Sequence, residues 1–234
     1  MARSKYYNPT TQQWEYADRN PLPTGENGDI LVNENGVWVA KAPSRVPAGY
    51  KEVEYISSDG TGQYIDLDFV PTDNTKIIFK VKNFSGANNY CFGQAEGDWD
   101  MMVQTGGGST YFFLYGSSSF HNTNVSADNN IHIFELSNGS QKLDNVEYGT
   151  LSTIGFPSSS THKFIIFGRI YSGNIQATGH YDVIEILRYE GNILIGDFIP
   201  CRRIADDEAG VVNLINNEFF SNAGVGIITH GADV

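Results

Sequence analysis

The stretch VPAGYKEVEYISSDGTGQYIDLDFVPT, residues 46–72, decides the fold. Two short runs within it, Glu52–Ile56 and Gln63–Phe69, alternate apolar and polar residues and are rich in Val, Ile and Tyr. A period of two with these residue types marks half-buried strand. Between the runs lies a Ser-Ser-Asp-Gly-Thr-Gly turn. Its Asp59-Gly60 step supplies the positive φ that a tight reversal needs, so the pattern predicts a β-hairpin.

Working outward, strand-like runs recur at short intervals: 76–82, 89–93, 101–104, 110–115, 131–136, 163–168, 181–189, 193–199 and 210–214. Turns such as Gly106-Gly107-Gly108, Asn138-Gly139 and Gly173-Asn174 separate them. Ile77-Ile78-Phe79 and Phe164-Ile165-Ile166-Phe167 are apolar on both faces, whereas Ile131, Ile133 and Glu135 alternate with His132, Phe134 and Leu136. A mixture of central and surface strands predicts two stacked sheets. The 25 Gly, 13 Tyr and 14 Phe, and the lack of a long run with helical spacing, agree with an all-β chain. Residues 46–234 suit a jelly-roll sandwich in length.

Ahead of that body, Lys5–Tyr7 and Gln13–Tyr16 flank Asn8-Pro9-Thr10-Thr11, and Asp29–Val32 and Val37–Val39 flank Asn33-Glu34-Asn35-Gly36. Both patterns predict hairpins. Residues 40–49, with two prolines and no periodicity, predict a linker. The expected division is therefore an arm, residues 1–45, and a body, residues 46–234. An arm of this size cannot bury enough surface to be stable alone. Tyr6, Tyr7, Trp14, Tyr16 and Trp38 must pack on something, and a scaffold or sister copies of the chain are expected rather than its own body.

The 234-residue chain carries a net charge of −12, all of it on residues 50–234. An acidic body repels nucleic acid and anionic lipid, so neither is an expected partner. No run of about 18 apolar residues is present, so no membrane span is expected. The first residues have no apolar core of a secretory signal, and no export leader is expected. Cys91 and Cys201 lie far apart and show no metal spacing. Two buried free thiols are expected, with a disulfide as the alternative.

Val46-Pro47-Ala48-Gly49-Tyr50, Glu52–Ile56 and Gly62–Asp66 resemble the opening of concanavalin A-like (laminin G-like) jelly-roll domains of phage and gut-bacterial proteins. Residues 196–203 (GDFIPCRR), 210–214 (GVVNL) and 217–226 (NEFFSNAGVG) resemble the way those domains close. The resemblance implies an all-β, two-sheet jelly-roll sandwich preceded by a small β-hairpin N-terminal arm. Tyr6–Asp18 and Gly28–Val39 resemble N-terminal segments of phage fibre and capsid-decoration proteins. That resemblance implies attachment to a virion, with the particle's capsid or fibre proteins as partners.

Glucanases in that sandwich family place Glu-x-Asp-x-(x)-Glu along one strand. The nearest segment here, His180-Tyr181-Asp182-Val183-Ile184-Glu185, lacks the first Glu. Asp182 and Glu185, three residues apart, should point to opposite faces of a regular strand and sit on the surface. Retaining hydrolysis needs two carboxyl groups about 5 Å apart, so no hydrolase is expected. There is no G-x-S-x-G and no phosphate loop. The five histidines are scattered without a metal motif. No cofactor or metal is expected, a Ca²⁺ shared by Asp98 and Asp100 being the alternative. Sugar binding calls for an aromatic platform beside amides and carboxylates. Asp98, Trp99 and Asp100 fit that description, as do His121, Asn122 and Asn124 in a polar loop over residues 117–124. The resulting expectation is a non-enzymatic virion structural protein of capsid-decoration or head-fibre type. It would be oligomeric, with a trimer favoured, and its body would be displayed outward within reach of surface glycans. The alternative is a tail-fibre adhesin or a bacterial carbohydrate-binding module.

Overall fold

The structure is a computed structural model. It describes residues 5–8, 13–16, 30–34, 36–41, 44–83, 90–96, 99–105, 110–115, 119–126, 128–148, 161–171, 174–177 and 179–234. The described residues are all-β, with no helix among them. The chain divides into two compact units, Met1–Arg45 and Val46–Val234.

The first unit contains two antiparallel pairs. Strand β1 (Lys5–Asn8) pairs with β2 (Gln13–Tyr16), and β3 (Ile30–Glu34) pairs with β4 (Val37–Lys41). Gly36, at φ +87°, closes the second turn.

The second unit is a sandwich of two large sheets. Its strands are β5 (Tyr50–Glu52), β6 (Ile56–Ser57), β7 (Ile65–Asp66), β8 (Thr75–Lys82), β9 (Tyr90–Glu96), β10 (Trp99–Thr105), β11 (Thr110–Tyr115), β12 (Ser119–Ser126), β13 (His132–Ser137), β14 (Ser140–Leu143) and β15 (Val146–Glu147). They continue with β16 (Ile165–Ile166), β17 (Arg169–Tyr171), β18 (Asn174–Gln176), β19 (Asp182–Glu190), β20 (Ile193–Arg203), β21 (Ala209–Asn213), β22 (Glu218–Ser221) and β23 (Thr229–His230). The larger sheet runs β15-β14-β13-β8-β19-β20-β21-β22, with β5, β6 and β23 added beside β19 and β20. The smaller runs β12-β11-β10-β9-β16-β7, with the β17–β18 pair against β9.

Alternation decides which side chains meet between the sheets. In β8, Ile77, Phe79 and Val81 are buried while Lys76, Ile78, Lys80 and Lys82 lie on the outer face. In β13, His132, Phe134 and Leu136 turn inward and Ile133 outward. Phe79 of the larger sheet stacks on Phe92 of the smaller at 4.0 Å between ring centroids, and Phe134 and Phe164 pack on Phe92 at 5.9 and 6.2 Å. Burying rings of this size is the dominant favourable term in such a core.

The opening stretch does not form the hairpin its pattern predicts. Ile56–Ser57 pairs with β19 and β23 in the larger sheet, whereas Ile65–Asp66 pairs with β16 in the smaller. Each half takes its partners from a different sheet, and residues 58–62 form a corner between the sheets. That corner is built as a turn: Gly60 has φ +77°, the Asp59 carboxylate accepts the Thr61 N–H at 2.9 Å, and buried Gln63 accepts the Ser58 hydroxyl at 3.0 Å.

The two ends of the body meet. Tyr50–Glu52 lies along β20, and Ile56–Ser57 lies along β19. The last residues pair with this same segment: Gly231 N–H to Tyr55 C=O, Glu54 N–H to Ala232 C=O and Val234 N–H to Glu52 C=O, at 2.9, 3.0 and 3.1 Å. Asn222 sews the far side. Its Oδ1 accepts the N–H groups of Tyr64 (3.2 Å) and Gly224 (3.0 Å), and its Nδ2 donates to the Gly226 C=O (2.8 Å). The Ala223 and Val225 N–H groups donate to the Tyr64 and Gly62 carbonyls.

Residues 163–168, expected as one strand, form β16 and then reverse at Phe167, which has φ +64° and no exposure. Tyr181 is the cause: its hydroxyl accepts the Phe167 N–H at 2.8 Å, its ring packs on Phe167 at 4.9 Å, and Gly179 N–H donates to the Phe167 carbonyl. Strand β16 is thus antiparallel to β9 and β17 parallel to it. The expected linker also ends early. Val46 is buried in a second, small core with Ile199, Cys201 and Val212 on the outer face of β20 and β21. Cys201 is a free, buried thiol.

Two outcomes test this architecture. A Cβ at position 224 would run into the Gly62 carbonyl oxygen. Gly224→Ala should therefore cost about 2–3 kcal/mol of unfolding free energy, through overpacking, read as a lowered urea midpoint. The second concerns Asp233, whose carboxylate accepts Arg202 Nε (2.7 Å) and Nη2 (2.8 Å). The Arg202 hydrogen bonds hold this carboxyl below the ordinary range. A group held low stabilises the fold above its unfolded pKa, and that support fades as pH falls through the folded value. Asp233→Asn should lower the urea midpoint at pH 7, and its difference from the parent chain should shrink as pH falls below the ordinary carboxylate range.

Candidate functional site

The structure places the sequence-selected glycan residues as follows. Asp98 lies outside the described residues. Trp99 begins β10 opposite Glu96, and Asp100 follows opposite Ala95. His121 and Asn122 stand opposite Phe113 and Phe112 in β12. Asn124 lies in the same strand, exposed, at φ +55°. The expected polar loop over residues 117–124 is therefore strand from Ser119 onward. A strand at the border of a sheet can be polar, because it needs no apolar face on its wet side. The register sets Met101 and Ser119 on either side of Tyr115. Strands β10 and β12 thus both begin at one end of the smaller sheet, and His121, Asn122 and Asn124 run away from that end.

In the first unit, Tyr7 faces Trp14, Tyr6 faces Glu15 and Tyr16 faces Lys5 across β1 and β2. Trp38 stands opposite Asn33 and is 50% exposed, beside Val37 at 63%.

The carboxylates Asp182 and Glu185 correct the expectation drawn from their spacing. Asp182 pairs with Lys82, Val183 with Val81 and Glu185 with Lys80, so Ile184 is an extra residue, a β-bulge. The bulge resets the alternation and brings Asp182 and Glu185 to the same outer face. Asp182 is not a surface residue: it is 5% exposed and accepts a hydrogen bond from Asn83 Nδ2. Around the pair the outer face is a mosaic of cations, carboxylates and aromatics. Lys82 Nζ sits 4.3 Å from the Tyr55 ring centroid and Lys76 Nζ 4.2 Å from that of Tyr189, while Lys142 donates to Glu135 at 3.2 Å. Position 180, where the glucanase pattern has its first Glu, holds an exposed His.

Sequence spacing gave no sign of a second cluster. His132, buried at the start of β13, has Nδ1 2.7 Å from Asp144 Oδ2 and Nε2 3.0 Å from Asp128 Oδ1. Both carboxylates are aimed by backbone: Asp144 accepts the Ile133 N–H and Asp128 the Asn130 N–H. That Asn130 N–H is the main reason the Asp128 carboxyl is held below the ordinary range. Asp128 lies four residues before His132 along the chain, whereas Asp144 lies twelve residues after it and comes to the imidazole across the β13–β14 hairpin. Among the described residues, no group of three or more His, Cys, Asp or Glu is arranged to hold a metal ion.

No protein-family model, no curated protein and no solved structure matches the chain.

The Asp182 environment yields a measurable outcome. Asn83 itself has φ +56°, so Asn83→Gly removes the donor without backbone strain. Losing the partner of a buried carboxylate should cost about 1–3 kcal/mol. It should appear as a lowered urea midpoint at pH 7 that Asp182→Asn does not share in full.

Proposed function

We propose that this chain is a non-enzymatic structural protein of a phage particle. Residues 1–45 attach it to capsid or fibre proteins, as a trimer or another cyclic oligomer, and a concanavalin A-like jelly roll is displayed on the particle exterior. One observation carries this reading. The described residues of the first unit form two two-stranded pairs, with Trp38 and Val37 exposed, whereas the second has a closed core of its own. Isolated hairpins are marginal in water and need a surface to pack on. An exposed Trp beside an exposed Val is the composition of a contact anchor. The motifs at residues 46–66 and 196–226 support the jelly-roll assignment, and those at residues 6–18 and 28–39 support the virion one.

Enzymatic use of Asp182 and Glu185 is disfavoured by side-chain chemistry, since strand parity no longer separates them. Asp182 is engaged by Asn83, and position 180 is His. Outward display leaves surface glycans as the natural small-molecule partner, with Trp99, Asp100, His121, Asn122 and Asn124 as the residues to test, together with Asp98.

A chain lacking residues 1–45 should stay folded, with a cooperative urea transition, and should no longer assemble with particles when supplied in place of the full chain. Incorporation at the normal level would overturn the attachment role. On a glycan array, specific binding by the truncated chain that Trp99→Ala abolishes would instead favour the adhesin reading.

A further inference from the structure

We propose that the outer face of the larger sheet, around β8 and β19, is a contact surface for a second copy of this chain, related to the first by a two-fold axis that runs along the strands. The face is built in rows. Alternation sends Lys76, Ile78, Lys80 and Lys82 of β8 outward. Tyr189, Leu187, Glu185 and Asp182 of β19 stand opposite them, in that order. Each row therefore joins a lysine to a carboxylate or an aromatic ring, or an apolar side chain to another. The bulge at Ile184 is what brings Glu185 into line with Lys80.

Charge selects the partner. The body carries the chain's whole −12, yet four of its ten Lys and Arg, namely Lys76, Lys80, Lys82 and Lys142, lie on this face. Among the described residues, no carboxylate is within ion-pair distance of Lys76, Lys80 or Lys82, and two of these rest over tyrosine rings. Glu135 is taken by Lys142. The acidic body as a whole repels a second copy, whereas on this face the two signs come close to balance.

Symmetry selects the axis. A two-fold along the strands lays β8 of one copy over β19 of the other at the same height. Each row then meets its own reverse. Lys80 lies against the partner's Glu185, Lys76 against the partner's Tyr189 and Ile78 against the partner's Leu187. A two-fold across the strands would instead lay β8 on β8 and set lysine against lysine. Ile133, 37% exposed beside Lys80, widens the apolar part of the contact. Sheets stacked face to face with nearly aligned strands are a common packing. The contact lies within the body and does not rest on what residues 1–45 attach to.

The test is sedimentation velocity of the full-length chain at micromolar concentrations, native and with Lys80→Glu or Glu185→Lys, each alone and the two mixed. The native chain should self-associate, less so at high salt. Either reversal alone sets like charges opposite each other twice in the pair and should weaken association by about tenfold or more. An equimolar mixture of the two variants restores both lysine–glutamate contacts and should associate as the native chain does. Both side chains lie on the outer face, so neither change should move the urea midpoint far. Association through residues 1–45 alone would survive both reversals, and that result overturns the proposal. A native chain that stays monomeric overturns it as well, as does a mixture no stronger than its components.

Discussion

The carboxamide of Asn222 is the fastening on which the sandwich depends. A sandwich of two sheets has two open sides, and polar backbone left there must find partners. On one side, Asn222 accepts from Tyr64 and Gly224 and donates to Gly226, which ties the final loop to the corner between the sheets. Gly224 permits this only because it has no side chain to strike the Gly62 carbonyl. The motifs at the two ends of the body, Gly62-Gln63-Tyr64 and Asn222-Ala223-Gly224-Val225-Gly226, are thus two halves of one contact. Their residue types are explained by closure of the fold and call for no ligand.

Strand content was legible wherever neighbours in sequence set the environment. The β8 and β13 patterns gave their strands and the alternation of β13, and Ile77-Ile78-Phe79 announced a central strand, which pairs with β13 and β19. Legibility failed where a distant group overrode the local pattern. Nothing near Phe167 says that the Tyr181 hydroxyl will take its N–H and turn the chain back. Nothing in Glu52–Phe69 says that β19 and β16 will outbid the adjacent run as partners. The linker misled for the same reason: Val46 looks unpatterned until Ile199 and Val212 arrive beneath it.

The candidate site was less legible than the fold. Counting residues from Asp182 to Glu185 assigned opposite faces, and a single inserted residue at Ile184 reversed that assignment. A bulge depends on the partner strand, here Lys80–Lys82, and leaves little trace in the strand that carries it. The His132 cluster carries no motif: Asp128 sits four residues back along the chain and Asp144 comes from beyond the β13–β14 turn, a spacing that matches no catalytic or metal pattern. By contrast, the two-strand pairing of residues 5–16 and 30–41 was readable because a hairpin is the one tertiary contact whose partners are neighbours in the chain.

The meeting of the body's two ends has a kinetic side. Tyr64 and Asn222 are separated by 158 residues, and Glu52 waits for Val234. Contacts of such long range carry a loop-closure penalty before they return any stability. During synthesis, residues 52–57 must stay without their final neighbours until almost the entire body has emerged. The central strands β8, β13 and β19 can assemble earlier, so the first-made part of the body is among the last to find its place.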